Sequence, residues 1–395
     1  MVRLAPFEVE RWMDEYEVTP GVINIAETCA ASISIDELVA LSEDKSGKSP
    51  IDTSTCLVYG AIPGSEALRS NIASQHENLS SENVLITQGA IAANFLTLYT
   101  LVGPGDHVIC VYPTYQQLYS VPQSLGADVT LWKLKAENGF VPDVAELEAL
   151  VRPNTKMIII NNPNNPTGAS IPRSVLAALV DTARARDITI LSDEVYRPLF
   201  HDLHDDDAAA AMPPSITGLG YDKVIATGSM SKAYALAGIR IGWIASPNAA
   251  LLARLALARD YTTISVSQLD DQVATYALAP AVRTPLLRRN VALARTNRAL
   301  VEAFVDAHAG VCSWVRPSAG ATGFVRFEKN GEPVDDVAFA KDVLDKTKVF
   351  FVPGSKCFGD GEDFKGYVRI GYVCHTEVLK EGLEKLGGYL ETHFN

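Results

Sequence analysis

Residues 228–243 read Gly228-Ser-Met-Ser-Lys-Ala-Tyr-Ala-Leu-Ala-Gly-Ile-Arg-Ile-Gly-Trp243, directly after an apolar run, Lys223 to Thr227, with the composition of a buried strand. A lysine framed by Ser229 and Ser231, with Arg240 eight positions later between glycines, suits an amine that forms a Schiff base beside a bound phosphate. The two serines are candidate donors to phosphate oxygens, and the guanidinium fork of Arg240 matches a phosphate bidentately. The bland alternative is a surface lysine in a glycine-rich turn. A P-loop is excluded, because GxxxxGK[ST] is absent.

Two further segments sharpen that chemistry. Asn161-Asn-Pro-Asn-Asn-Pro-Thr-Gly168 follows the apolar run Lys156 to Ile160, and Leu191-Ser-Asp-Glu-Val-Tyr196 ends the next one. Both fall at the carboxyl ends of strands, where open α/β sheets bind ligands. A carboxylate such as Asp193 can there hold a pyridine nitrogen protonated, while an Asn and a Tyr hydroxyl hydrogen-bond a ring phenolate. Taken alone, the Asn/Pro run reads as a turn and Asp193 as a helix cap.

The elements that position these residues follow from periodicity. Strand candidates are Val84 to Thr87, His107 to Val111, Asp128 to Trp132, Thr155 to Ile160, Thr189 to Ser192, Lys223 to Thr227 and Ile239 to Ala245. Most are continuous apolar runs, as strands covered on both faces should be, so they predict an α/β domain around a largely parallel sheet. Helices are predicted at Pro142 to Leu150, Pro172 to Arg186 and Thr284 to His308. Beyond them, strands at Gly323 to Phe327, Val349 to Val352 and Tyr367 to Tyr372, with helices at Val334 to Lys346 and His375 to Glu391, predict a smaller α+β unit. The expected division is an N-terminal segment 1–45 packing with the small domain, a large domain 46–283 and a small domain 284–395.

Composition bounds the function. The chain has 395 residues, 47% hydrophobic and 21% charged, with a net charge of −13. It is globular, and its charge disfavours a nucleic-acid partner. No apolar run has the length of a membrane span and no signal peptide is visible, so a cytoplasmic protein is expected. The six cysteines show no CxxC pair and read as reduced core residues. His201-Asp-Leu-His204 followed by Asp205 to Asp207 reads as part of a solvated surface loop running to Pro214, and no metal site is expected.

In the order of these motifs the chain resembles the class I/II aminotransferases of pyridoxal-phosphate fold type I, over nearly its whole length. The resemblance implies a large domain with a mostly parallel seven-stranded sheet plus a smaller α+β domain, and pyridoxal 5′-phosphate as cofactor. It implies that Lys232 is the Schiff-base lysine, Asp193 the partner of the pyridine nitrogen, and Asn165 and Tyr196 the partners of the ring oxygen. Ser229, Ser231 and Arg240 resemble phosphate ligands, joined by Gly89 and Ala90 at a helix N-terminus. Tyr115 occupies the place of the aromatic that stacks on the cofactor, and Tyr59 that of a tyrosine reaching a phosphate across a homodimer interface. Arg369 is similar to the arginine that clamps the substrate α-carboxylate, beside Asn165.

One stretch departs from the pattern. Where the family often has a glycine, Asn24-Ile-Ala-Glu-Thr-Cys29 places Glu27 and Thr28. A Glu in a similar place occurs in aminocyclopropane-carboxylate synthases, and the stretch through Leu38 is also similar to capreomycidine synthases. After Tyr261, Thr262, Thr263, Ser265 and Ser267 stand where an arginine for a side-chain carboxylate is sought, which disfavours a dicarboxylate substrate. The expected activity is amino-group transfer from an α-amino acid to a 2-oxo acid. The alternative is elimination, replacement or cyclisation on an activated amino acid, such as S-adenosylmethionine or a guanidino amino acid, with Glu27 near the side chain. A pyridoxal-phosphate-sensing transcription regulator is not expected, because the catalytic pattern starts almost at the first residue.

Overall fold

The computed structural model describes residues 4–202 and 212–394. Its strands, in chain order, are β1 (Ile23–Asn24), β2 (Val84–Thr87), β3 (His107–Tyr112), β4 (Asp128–Lys133), β5 (Thr155–Asn161), β6 (Thr189–Asp193) and β7 (Val224–Ser229), followed by β8 (Gly242–Ala245), β9 (Cys312–Trp314), β10 (Thr322–Lys329), β11 (Glu332–Pro333), β12 (Val349–Phe350), β13 (Val352–Pro353) and β14 (Tyr367–Gly371). Seven of them form one sheet in the order β2-β8-β7-β6-β5-β3-β4. The expected α/β architecture with a mostly parallel seven-stranded sheet is thus observed. Only β8 runs antiparallel to its neighbours. Apolar side chains such as Ile158, Ile160, Ile190 and Val224 fill one face of the sheet, and Ile159, Leu191 and Ile225 the other. Burial on both faces explains why these segments are continuously apolar rather than alternating.

Register decides where the chemistry sits. Asn161, Asp193 and Thr227 are paired across β5, β6 and β7. Thr87, Gly242 and Ser229 are paired across β2, β8 and β7. Because β8 is antiparallel, its first residue lies at the edge where β2 and β7 end. All the motif-bearing loops therefore open on one edge of the sheet.

The smaller unit is an antiparallel sheet in the order β11-β10-β14-β13, with β9 also pairing β10. β14 sets Arg369 opposite Phe324 on one side and Val352 on the other. The N-terminal segment joins this unit through β1, which pairs parallel with β12. Its helix Glu8–Tyr16 buries Val9 and Trp12, and the Trp12 indole donates to the Phe351 carbonyl at 3.1 Å. The position expected to separate large and small domains, after residue 283, falls inside the continuous helix Pro280–Ala307.

Three expectations are corrected. Ile239 to Ala245 is not one strand: a 3₁₀ turn over Ala237–Ile239 ends with Arg240 at φ 51°, and β8 starts only at Gly242. After the turn, Gly242 lies against Gly89, where a Cβ would come within 2.3 Å of the Gly89 carbonyl carbon. Cys56 is exposed, unlike the other five cysteines. His201 belongs to the core rather than a surface loop, since its ring meets the Tyr372 hydroxyl at 2.8 Å and Arg298 at 3.3 Å. His204 and Asp205 to Asp207 lie outside the described residues.

Candidate active site

Lys232 follows β7 in the loop that leaves the sheet edge. Its Nζ donates to Thr28 Oγ1 at 2.6 Å and lies 3.4 Å from Cys29 Sγ. Burial pulls this amine down, but Cys29, Tyr196 and Glu27 outweigh it and hold the ammonium above the usual lysine range. Tyr196 is 2% exposed; burial raises its phenol, while Lys232, Arg369 and a hydrogen bond from Thr28 pull it back.

Asp193, at the end of β6, is buried and fully engaged. Its Oδ2 accepts from Asn94 Nδ2 at 2.8 Å and its Oδ1 from the Val195 backbone N–H at 3.0 Å. Asn94 is oriented in turn by Thr227, whose hydroxyl donates to its Oδ1 at 2.6 Å. Burial pushes the carboxyl up to about 6 against these hydrogen bonds. Such a group favours a cationic partner, which would restore its charge. Asn94 escaped the sequence reading because it sits mid-helix, in Gly89–Leu101, with no local motif around it.

On the β2 side of the same edge, Gly89 opens that helix at φ +79°, and a Cβ there would strike Arg240 Nη2 at 2.8 Å. Glycine is favoured there by the backbone conformation, and its missing Cβ leaves room for the guanidinium to approach. Ser231 Oγ lies 3.5 Å from Arg240 Nη1 and 2.9 Å from Ser229 Oγ. Gly89, Ala90, Ser229, Ser231 and Arg240 thus converge on a helix N-terminus, whose amides and dipole favour an anion.

Across the site, Arg369 Nη1 donates to Asn165 Oδ1 at 3.3 Å and Nη2 to the Ala26 carbonyl at 3.1 Å. Its Nε is buried with no partner, an unspent donor suited to a carboxylate. Tyr115 donates to Glu10 at 2.6 Å and packs against Phe7, so the N-terminal helix covers it. Glu27 Oε1 accepts from the backbone N–H groups of Thr28 and Cys29 at 2.7 and 2.9 Å. Burial raises Glu27, but the Lys232 charge and the Cys29 and Thr28 hydrogen bonds outweigh it and hold the carboxyl below its usual range. Tyr59 stands apart, 77% exposed on the outer surface. The described residues form no metal-binding cluster of His, Cys, Asp and Glu.

A lysine amine, a carboxylate made receptive to a cation, an anion cup and a spare guanidinium donor fit pyridoxal phosphate with an amino acid attached. That is the chemistry of pyridoxal-phosphate-dependent enzymes of amino-acid metabolism. Within that class, the chain belongs to the aminotransferase class I and II family, whose sequence model matches residues 39–386. Capreomycidine synthase from Streptomyces vinaceus is 31% identical over 336 residues, covering 85% of this chain and 81% of that one. The arginine–pyruvate transaminase of Pseudomonas aeruginosa is 32% identical over 335 residues, covering 83% and 81%. The crystal structure of a pyridoxal-phosphate-dependent aminotransferase from Streptococcus suis superposes with a TM-score of 0.89 at 41% identity, covering 100% of this chain and 99% of that one. No helix among the described residues is long and apolar enough to cross a membrane.

Proposed function

We propose that this enzyme is an aminotransferase that moves the amino group of an α-amino acid to a 2-oxo acid, using pyridoxal phosphate held on Lys232. One observation carries the reading: the Lys232 amine, the Asp193 carboxylate and the Arg369 guanidinium all face one sheet edge, and Arg369 keeps a buried donor unspent. The bound cofactor supplies an aldehyde for the amino group and a ring that accepts the electron pair left when the Cα proton departs. Lys232 is the amine that would hold the cofactor and, once free of it, would take and return the substrate Cα proton. Asp193 would keep the ring nitrogen protonated, Asn165 and Tyr196 would hydrogen-bond the ring oxygen, and Tyr115 would pack against the ring. Gly89, Ala90, Ser229, Ser231 and Arg240 would hold the phosphate, and Arg369 the substrate carboxylate.

The working unit in this reading is a cytoplasmic homodimer in which Tyr59 reaches the phosphate of the neighbouring subunit. Leu57, Val58, Tyr59, Phe95, Leu257 and Tyr261 are exposed and carry the apolar surface such an interface needs. Nearby, Arg259 donates one nitrogen to the Ile62 and Ile264 carbonyls, while its Nε and Nη2 are buried without partners.

Glu27 favours a second reading, cyclisation or elimination on an amino acid with a cationic side chain. The Glu27 Oε1 is taken by the Thr28 and Cys29 N–H groups and the Lys232 charge already favours its ionised form, so a guanidinium or sulfonium on the substrate would add a second cation to a carboxylate that is charged at neutral pH. The names of two relatives, a capreomycidine synthase and an arginine–pyruvate transaminase, accord with such a substrate. Incubating the loaded enzyme with a panel of amino acids and S-adenosylmethionine separates the readings. Conversion of the cofactor to its pyridoxamine form with a 2-oxo acid product supports transamination. A rearranged or eliminated product without that conversion rejects it.

A further inference from the structure

Residues 25–33 run as a strip between the small sheet and the lysine loop. The Gly371 N–H donates to the Ile25 carbonyl at 2.7 Å, the Ala31 N–H to the Val373 carbonyl at 2.7 Å and the Ala30 N–H to the Lys232 carbonyl at 3.1 Å. Within that strip Thr28 is 7% exposed. Its hydroxyl accepts from Lys232 Nζ at 2.6 Å. A threonine hydroxyl has lone pairs to accept with, so it can hold the ammonium while that ammonium stays protonated. The turn that presents it is fixed by Glu27, whose Oε1 takes the N–H groups of both Thr28 and Cys29.

We infer that Thr28 is a positioning residue for Lys232: its hydroxyl parks the amine whenever that amine is not bonded to cofactor, while Glu27 fixes the turn that holds the hydroxyl in place. The inference rests on the reading in which Lys232 moves the Cα proton. It gives Glu27 a task inside the protein, distinct from contact with a substrate side chain. A purely structural threonine would leave the behaviour of the Lys232 amine unchanged.

The test compares Thr28→Val, which keeps the shape and removes the hydroxyl, with Thr28→Ser, which keeps the hydroxyl. In cofactor-free protein, the pH dependence of the rate at which added pyridoxal phosphate forms its lysine-linked absorption band reports the amine. Loss of an acceptor for the ammonium lowers its pKa, so Thr28→Val should move the midpoint down by about one unit, a tenfold change in neutral amine at a given pH. Loaded Thr28→Val should exchange the substrate Cα proton for solvent deuterium about tenfold more slowly, with substrate KM within about twofold. Thr28→Ser should restore both quantities. Should Thr28→Val fail to fold, Thr28→Ala carries the same comparison. An unchanged midpoint with unchanged exchange overturns the inference alone. Exchange that persists in Lys232→Ala overturns the underlying reading and the inference with it.

Discussion

The two ends of the candidate site are built differently. At the Asp193 end the carboxylate and the amide that orients it find their partners within the chain: Asn94 and the Val195 N–H serve the carboxylate, and Thr227 serves Asn94. At the opposite end Arg240 is exposed, Tyr59 points outward among other exposed apolar residues, and Arg259 keeps two buried donors unspent. A folded chain rarely leaves buried donors and an apolar face without a use. In the proposed homodimer, one end is complete within the folded chain and the other would be completed by association.

Lys232→Ala should produce the largest effect. It removes the covalent anchor and the proton carrier together, so the lysine-linked absorption band should vanish and turnover fall by about a thousandfold or more. An intact band in that variant would break the account at the self-sufficient end. Asp193→Asn comes next, with a loss of about a hundredfold in turnover and some cofactor retained. It also has a pH signature. In cofactor-free protein the carboxyl lies at about 6 against 3.8 for an unperturbed group. The folded state therefore holds a proton that the unfolded chain releases. The stability this contributes is present below about pH 4 and lost as pH rises through about 6, roughly 3 kcal/mol in all. Urea unfolding at pH 4 and pH 7 should show that loss in the wild type and not in Asp193→Asn.

Smaller effects test the open end. Phe95→Asp, on the exposed apolar face, should give monomers in sedimentation and weaken cofactor retention, whereas a fully active monomer would dissolve the distinction between the two ends. Tyr59→Phe should leave the dimer intact and weaken cofactor binding about tenfold, the worth of one hydrogen bond to a charged group. Equilibrium dialysis of the cofactor measures it. Smallest and most selective is Glu27→Gln, which retains the oxygen that caps the Thr28 turn. It should raise KM for amino acids with cationic side chains about fivefold to tenfold and leave neutral ones alone. Equal shifts for both classes would confine Glu27 to its task in the turn.

The self-sufficient end was also the more legible one. Lys232, Asp193 and Asn165 stand in short motifs whose spacing is set by strand ends, so local sequence suffices to find them. Asn94 and Thr28 lie 99 and 204 positions from the groups they bond, and nothing near them in sequence marks the contact. Most of the large-sheet strands are visible because burial on both faces makes them continuously apolar, whereas the edge strand β4 is mostly half-buried. Ile239 and Ile241 give Arg240 apolar neighbours and predict a strand there, whereas the chain makes a 3₁₀ turn and β8 starts only at Gly242. His201 was read with the acidic residues that follow it, although its own ring is held in the core by Tyr372 and Arg298.

The central claim is that Lys232 carries the cofactor at the end of β7. Borohydride reduction of the purified, cofactor-loaded protein fixes the link permanently, and proteolysis with mass spectrometry then locates it. The account predicts a pyridoxyl label on the peptide containing Ser229 to Ala235, at Lys232 and at no other lysine. A label on a different lysine, or a loaded protein in which reduction leaves none, would contradict it.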